Sequence, residues 1–160
     1  MSEKISKSSS ALKKLTPEQL KVLASDIRAD ILSSVNANGG HLSSNLGCVE
    51  LTMALLASFD PLNDDLLFDV GHQTYTYKIL TGRSLIHLRQ IGGEGPFSNR
   101  FESPYDKYCN GHASTSISVG LGMDIAKRLD GDKSYTIAII GDSSLSSGLS
   151  MEALNLLSTQ

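Results

Sequence analysis

Apolar residues recur every three or four positions early in the chain: Leu20, Leu23, Ala24, Ile27, Ile31 and Val35. That spacing predicts an amphipathic helix with one buried stripe. Thr16-Pro17-Glu18-Gln19 marks its start, with Thr16 as cap, Pro17 at the first helical position and Gln19 completing a capping box. Asn38-Gly39-Gly40 supplies stop and turn chemistry, so the helix is expected to end near Asn36. A second helix is expected over 48–58, through Val49, Leu51, Leu55 and Leu56, until Asp60-Pro61 breaks it. The pattern then changes. Leu66-Leu67-Phe68-Asp69-Val70, ending in Gly71, reads as a short buried strand. Short helices are expected over 75–80, closed by Gly82, and over 84–90.

Residues 91–111 read mostly as loop, punctuated by Gly92-Gly93, Gly95-Pro96 and Ser103-Pro104. A loop of that length in a compact domain is usually functional or mobile. A helix over 115–129 carries small residues at Ser116, Ser118, Gly120 and Gly122, which let it approach a sheet or a partner helix closely. Residues 135–140 make the clearest strand, β-branched and apolar on both faces, running into Gly141-Asp142. Helix returns over 149–157. Residues 1–14 read as a flexible, slightly basic lead-in, and no internal repeat is evident.

Helices alternating with short strands buried on both faces predict an α/β fold, a parallel sheet flanked by helices. In open sheets of this kind ligands bind beyond the carboxyl ends of the strands. Those ends are Val70-Gly71-His72 and Ile140-Gly141-Asp142, both rich in groups capable of chemistry.

Composition narrows the picture. At 160 residues the chain is long enough for one domain with a real core. A net charge of -3 with 19% charged residues points to neither nucleic acid nor a membrane surface as partner. No apolar run approaches a membrane span, and residues 1–10 lack the apolar region of a signal peptide, so a cytoplasmic protein is expected. Cys48 and Cys109, far apart in sequence, are then expected to be ordinary reduced thiols.

Asp142 is the first candidate for chemistry. A carboxylate at a strand tip suits a hard cation such as magnesium, which commonly bridges one or two carboxylates to phosphate oxygens. Ser143 and Ser144 add hydroxyls and backbone N–H groups suited to a diphosphate. Taken alone, the segment favours a plainer role, a carboxylate that opens a turn or caps a helix. His41, His72 and His112 each follow a glycine, and all fall in expected turns. Glycine permits close backbone approach to a ligand, and histidine transfers protons near neutral pH. A lone histidine is more often structural; three in this setting point toward a shared site. His87 lacks that setting and reads as surface. Lys78, Arg83, Arg89 and Arg100 read first as solvated cations, Glu50 and Glu152 as structural, and Tyr75, Tyr77, Tyr105 and Tyr108 as packing residues.

Several blocks, in order, resemble the deoxyxylulose-phosphate synthases, transketolase-like thiamine-diphosphate enzymes. They are Gly40-His41-Leu42-Ser43-Ser44-Asn45-Leu46-Gly47, Asp69-Val70-Gly71-His72-Gln73 with Tyr75, and Lys78-Ile79-Leu80-Thr81-Gly82-Arg83. Glu102-Ser103-Pro104-Tyr105-Asp106 and Gly111-His112-Ala113-Ser114-Thr115-Ser116-Ile117-Ser118 continue the likeness, which spans about residues 15–157. The resemblance implies that residues 15–160 are an incomplete diphosphate-side domain of such an enzyme. The implied reaction is the decarboxylative condensation of pyruvate with glyceraldehyde 3-phosphate, serving isoprenoid precursor synthesis, with thiamine diphosphate and Mg2+ as cofactors. Carried over by position, Asp142 binds the metal, and Ser143 and Ser144 meet the diphosphate. His72 and Gly111-His112-Ala113 contact the cofactor, and His41 assists proton transfer at the reacting centre. A homodimer is implied for the full-length enzyme.

Two departures bear on that reading. The family's Gly-Asp-Gly appears as Gly141-Asp142-Ser143, which is tolerable if Ser143 keeps a negative φ and the diphosphate does not need the space. The second metal-binding segment, the activating glutamate and the phosphate-gripping arginines of the family have no counterpart here. The isolated chain is therefore expected to lack synthase activity and to expose apolar surface at Ile137, Ile139 and Leu156. Two other readings stand beside this one. The chain could be a truncated, inactive remnant acting only as a binding module. Alternatively, Gly141-Asp142-Ser143 could be the first block of a GDSL-type esterase, although no histidine follows it.

Overall fold

The computed structural model describes residues 7–159, in which the chain forms eight helices and two strands. It divides into two compact units. One takes the described residues up to Phe59 together with Gln73–Pro96; the other takes Asp60–His72 and the chain from Phe97 onward.

The first unit is helical. It contains α1 (Ser9–Leu12), α2 (Pro17–Asn38), α3 (Ser43–Gly47), α4 (Val49–Ser58) and α5 (Tyr75–Leu80). The capping box at Thr16 and Gln19 forms as expected. The stripe it launches buries Leu23, Ala24, Ile27 and Ile31, and α2 packs on α4 and α5. Removing each of these leucine and isoleucine side chains from water contributes about 1.5–3 kcal/mol, which is what holds a helix of this length in place. Of the segment read as a lead-in, residues 9–12 are helical and Leu12 is buried against α4; residues 1–6 lie outside the described residues.

The helix expected over 84–90 is absent, and the segment is a series of turns. Arg89 sits at φ 65° and donates its N–H to the Glu94 carbonyl, a left-handed conformation incompatible with a continuing helix. Leu85 and Leu88 still bury their side chains, so the apolar spacing was real but serves a turn. The Ser34 hydroxyl fastens that turn by donating to the Leu85 carbonyl at 2.5 Å.

The second unit is the α/β part. It contains β1 (Asp65–Phe68), α6 (Ser116–Asp130), β2 (Thr136–Ile139), α7 (Asp142–Leu145) and α8 (Gly148–Leu157). The strands pair in parallel, Asp65 opposite Thr136 through Phe68 opposite Ile139. Both strands therefore end on the same side, as expected, with helices flanking the sheet. β1 is buried throughout, whereas β2 is half-buried along its length. The small face of α6 lies on the sheet: a Cβ built on Gly120 would stand 3.2 Å from a Leu67 methyl and 3.4 Å from the Thr136 methyl. α6 closes at Gly131, in the left-handed conformation that glycine adopts without steric cost.

Ile137 and Ile139 are half-buried and Leu156 is 51% exposed, beside exposed Leu149, Met151, Leu154 and Leu157 on α8. Among the described residues no helix is long and apolar enough to cross a membrane, and Cys48 and Cys109 are free thiols.

Candidate functional site

The parallel register decides what meets what. Beyond β1 come Asp69, Val70, Gly71 and His72; beyond β2 come Ile140, Gly141, Asp142, Ser143 and Ser144. The ladder runs one step past the strands, the Asp69 N–H donating to the Ile139 carbonyl at 2.8 Å. The chain then turns sharply at Val70. Its φ is 60°, and the Gly71 N–H folds back onto the Asp69 carbonyl at 2.6 Å, closing a three-residue turn. A β-branched residue in that region is strained, a cost of about 1–3 kcal/mol that only a well-braced surrounding can sustain.

The bracing comes from both sides. Gly71 sits at φ 84°, and a Cβ there would stand 2.9 Å from the Ser98 nitrogen, so this position requires glycine twice over. Asp69 itself is 1% exposed. Its carboxylate accepts the N–H groups of Ser114 at 2.8 Å and Ser116 at 3.1 Å, at the start of α6. Burial pushes its pKa up, but those two backbone donors, with the nearby hydroxyls of Ser116 and Ser144, outweigh it and hold the carboxyl below its ordinary value.

The segment at residues 111–113 is placed by the same end of β1. The Asn110 side chain donates to the Phe68 carbonyl at 3.1 Å and accepts the N–H groups of Gly111 at 2.8 Å and His112 at 3.2 Å. Those two amides are thus committed to the protein, and what residues 111–113 present outward is an exposed turn carrying the His112 ring. Ser114, at φ 70°, closes the turn against Asp69. Tyr108 donates to the same Phe68 carbonyl at 3.2 Å; burial and the neighbouring Asp69 charge push its phenol up to about 12.

Asp142, Ser143 and Ser144 open α7, with Asp142 and Ser143 exposed. Ser143 does not have a positive φ, so a side chain at this position of the Gly-Asp-Ser block carries no backbone strain. Beneath them Ser150, fully buried on α8, donates its hydroxyl to the Ser144 carbonyl at 2.8 Å and reaches the Ser114 carbonyl at 3.4 Å.

Of the residues singled out from sequence, His72, Gly111, His112, Ala113, Asp142, Ser143 and Ser144 all belong to the second unit, around the carboxyl end of its sheet. His41 belongs to the first. There Gly40, at φ 140°, lies so close to Tyr75 that a Cβ would stand 2.7 Å from its hydroxyl, which accepts the His41 N–H at 3.3 Å. Asn45 completes that turn, its side chain donating to the His41 carbonyl at 2.7 Å and accepting the Tyr75 N–H at 2.9 Å. Sequence reasoning missed Asp69, Asn110 and Ser150 as organisers. Asp69 was in plain view inside a motif; Asn110 and Ser150 carried no signal.

A parallel sheet with a carboxylate, hydroxyls and a glycine-histidine turn at one end defines an α/β domain whose polar groups gather where such folds take ligands. The chain belongs to the 1-deoxy-D-xylulose-5-phosphate synthase family, whose model matches residues 3–160. Relatives of that name include those of Paraburkholderia phymatum, 52% identical, and Acidovorax ebreus, 53% identical, each over 146 residues. The alignment covers 90% of this chain and 23% of either relative. The relative from Clostridium botulinum is 50% identical over 146 residues, 90% of this chain and 24% of its own length. The chain therefore spans about a quarter of the curated relatives it matches.

Proposed function

We propose that this chain is the amino-terminal, diphosphate-side part of a 1-deoxy-D-xylulose-5-phosphate synthase. Pyruvate and glyceraldehyde 3-phosphate are its substrates, and carbon dioxide and the five-carbon phosphate its products. The carrying observation is the parallel pairing of β1 and β2, which gathers every candidate residue except His41 around one sheet end, within a chain of this family. Residues 15–160 are read as part of the diphosphate-binding domain.

The donor set fits the expected cofactors. No cluster of three or more His, Cys, Asp or Glu arranged for a metal occurs among the described residues. A single exposed carboxylate, Asp142, suits magnesium, which keeps water and phosphate oxygens as its other ligands. Ser143 and Ser144 would offer hydroxyls to a diphosphate, and His72 with residues 111–113 would flank the cofactor. Thiamine diphosphate, when bound, supplies the electron sink for the two-carbon unit left by decarboxylation. The chain's task is to bind, orient and exclude water around it. His41 is assigned to proton transfer on the strength of the Gly40-to-Gly47 block. A cytoplasmic homodimer is the form in which the complete enzyme is read to act.

Calorimetric titration of the natural full-length protein with thiamine diphosphate and magnesium tests this. Saturable binding, lost in Asp142→Ala, together with product from the two substrates, is the expected result. Failure of the wild-type protein to bind the cofactor overturns the proposal. The 160-residue chain alone, given cofactor and both substrates, is expected to form no product; detectable product refutes that part.

A further inference from the structure

Asp69 and Ser150 carry no part of the proposed cofactor binding, yet both are buried beside the segments that do. Asp69, at 1% exposure, is a carboxylate whose oxygens are held by the backbone N–H groups of Ser114 and Ser116. The Ser114 amide directly follows the turn at residues 111–113, and the Ser116 amide opens α6. Ser150, 0% exposed, donates its hydroxyl to the Ser144 carbonyl at 2.8 Å and lies 3.4 Å from the Ser114 carbonyl, so it sits against both segments from below. The two segments to be held, 111–114 and 142–144, belong to different loops and share no backbone hydrogen bond of their own among the described residues.

We infer that Asp69 and Ser150 form a two-point clamp that fixes the turn at residues 111–113 and the Ser144 end of α7 in one geometry, so that both meet a diphosphate ligand together. The inference rests on the thiamine-diphosphate reading and deepens it. Neither residue touches the ligand; both are positioning residues. A carboxylate suits the upper point because it offers acceptors only, so two amides can converge on it, one on each oxygen, without competition from a donor. An asparagine of the same shape turns one acceptor into a donor and must surrender at least one of the amides. The strained turn at Val70 is the means by which the β1 backbone, still in the ladder at Asp69, leaves at once and keeps that carboxylate aimed at α6.

A stability role alone would lower the melting temperature and leave ligand affinity unchanged. The test is therefore the dissociation constant for thiamine diphosphate with magnesium, measured by calorimetry on the natural full-length protein and its variants. Asp69→Asn is expected to raise it about tenfold, the low end of the scale seen when groups behind metal ligands are removed, and Ser150→Ala, which removes one hydrogen bond of about 0.5–1 kcal/mol, about threefold. Asp65→Asn is the control, a buried carboxylate of the same strand paired with Lys127 at the sheet's opposite end. It should melt earlier yet bind within about twofold of wild type, because nothing it holds borders the ligand. If Asp69→Asn folds and binds like wild type, the clamp is refuted. If Asp69→Asn does not fold, Ser150→Ala decides: unchanged affinity overturns the inference and a raised constant supports it. If wild type itself does not bind, the functional reading falls, an outcome distinct from either.

Discussion

Gly71→Ala should be among the most costly methyl additions in the second unit. Two separate penalties meet at this position. At φ 84° an L side chain is strained by about 1–2 kcal/mol. The added Cβ would also stand 2.9 Å from the Ser98 nitrogen and 3.2 Å from its hydroxyl. The first is backbone and cannot swing aside, so overpacking adds about 1–3 kcal/mol. Alanine's smaller unfolded-state entropy returns about 0.4–1 kcal/mol. The net loss is about 1–4.6 kcal/mol, centred near 3. Gly131→Ala is the internal reference, since Gly131 lies in the same unit at φ 73° with nothing within 4 Å of an added methyl. It keeps the strain and lacks the clash, and should cost about 1 kcal/mol. Urea unfolding followed by far-ultraviolet circular dichroism measures both. Equal losses in the two variants would show that the Ser98 contact yields freely and that the Gly71 turn is not braced as described.

The remaining predictions concern charge, packing and capping. Asp69 has a folded-state pKa held below its ordinary 3.8, so its contribution is complete above that value and lost as pH falls through the lower folded value. The stability gap between wild type and Asp69→Asn should then be flat from about pH 7 to 5 and shrink below pH 3.8, measured as urea midpoint against pH; a gap that widens toward acid contradicts the sign. Lys78 is wholly buried, donating to Glu94 at 3.3 Å and the Gly95 carbonyl at 2.9 Å, so Lys78→Met should cost about 3 kcal/mol by leaving those acceptors behind. Adding Glu94→Gln should recover part of that loss in the same unfolding assay. The Ser147 hydroxyl accepts the Ser150 N–H at the start of α8, and Ser147→Ala should cost about 1 kcal/mol of stability.

Much of the fold was legible because its signals are local. Thr16 and Gln19 form a capping box through atoms three residues apart, and the stripe from Leu23 to Ile31 needs only helical geometry to share a face. The apolar run from Leu66 to Phe68 and the β-branched run near Ile137 announced strands for the same reason. The segment at 84–90 shows where local reading stops. Its leucines have helical spacing, but the contest between a helix and a turn was settled by the Ser34 hydroxyl and the Glu94 carbonyl. Neither belongs to the segment that they shape.

The candidate site divides along the same line. Sequence by itself determined the chemical inventory: Asp142, Ser143 and Ser144 after one strand, His72 after the other, glycines before His41, His72 and His112, and the family to which the order of blocks belongs. It also put both sets at strand ends, because a strand's end is a local event. Only the tertiary structure decided that β1 and β2 lie side by side and parallel, which turns two strand ends into one place. Only it could single out Asp69, Asn110 and Ser150. Each makes a contact with a residue 36 to 47 positions away, such as Asp69 with Ser116, Asn110 with Phe68 and Ser150 with Ser114. A side chain's partner across such a distance is set by how the chain packs, and no spacing rule along the sequence encodes it.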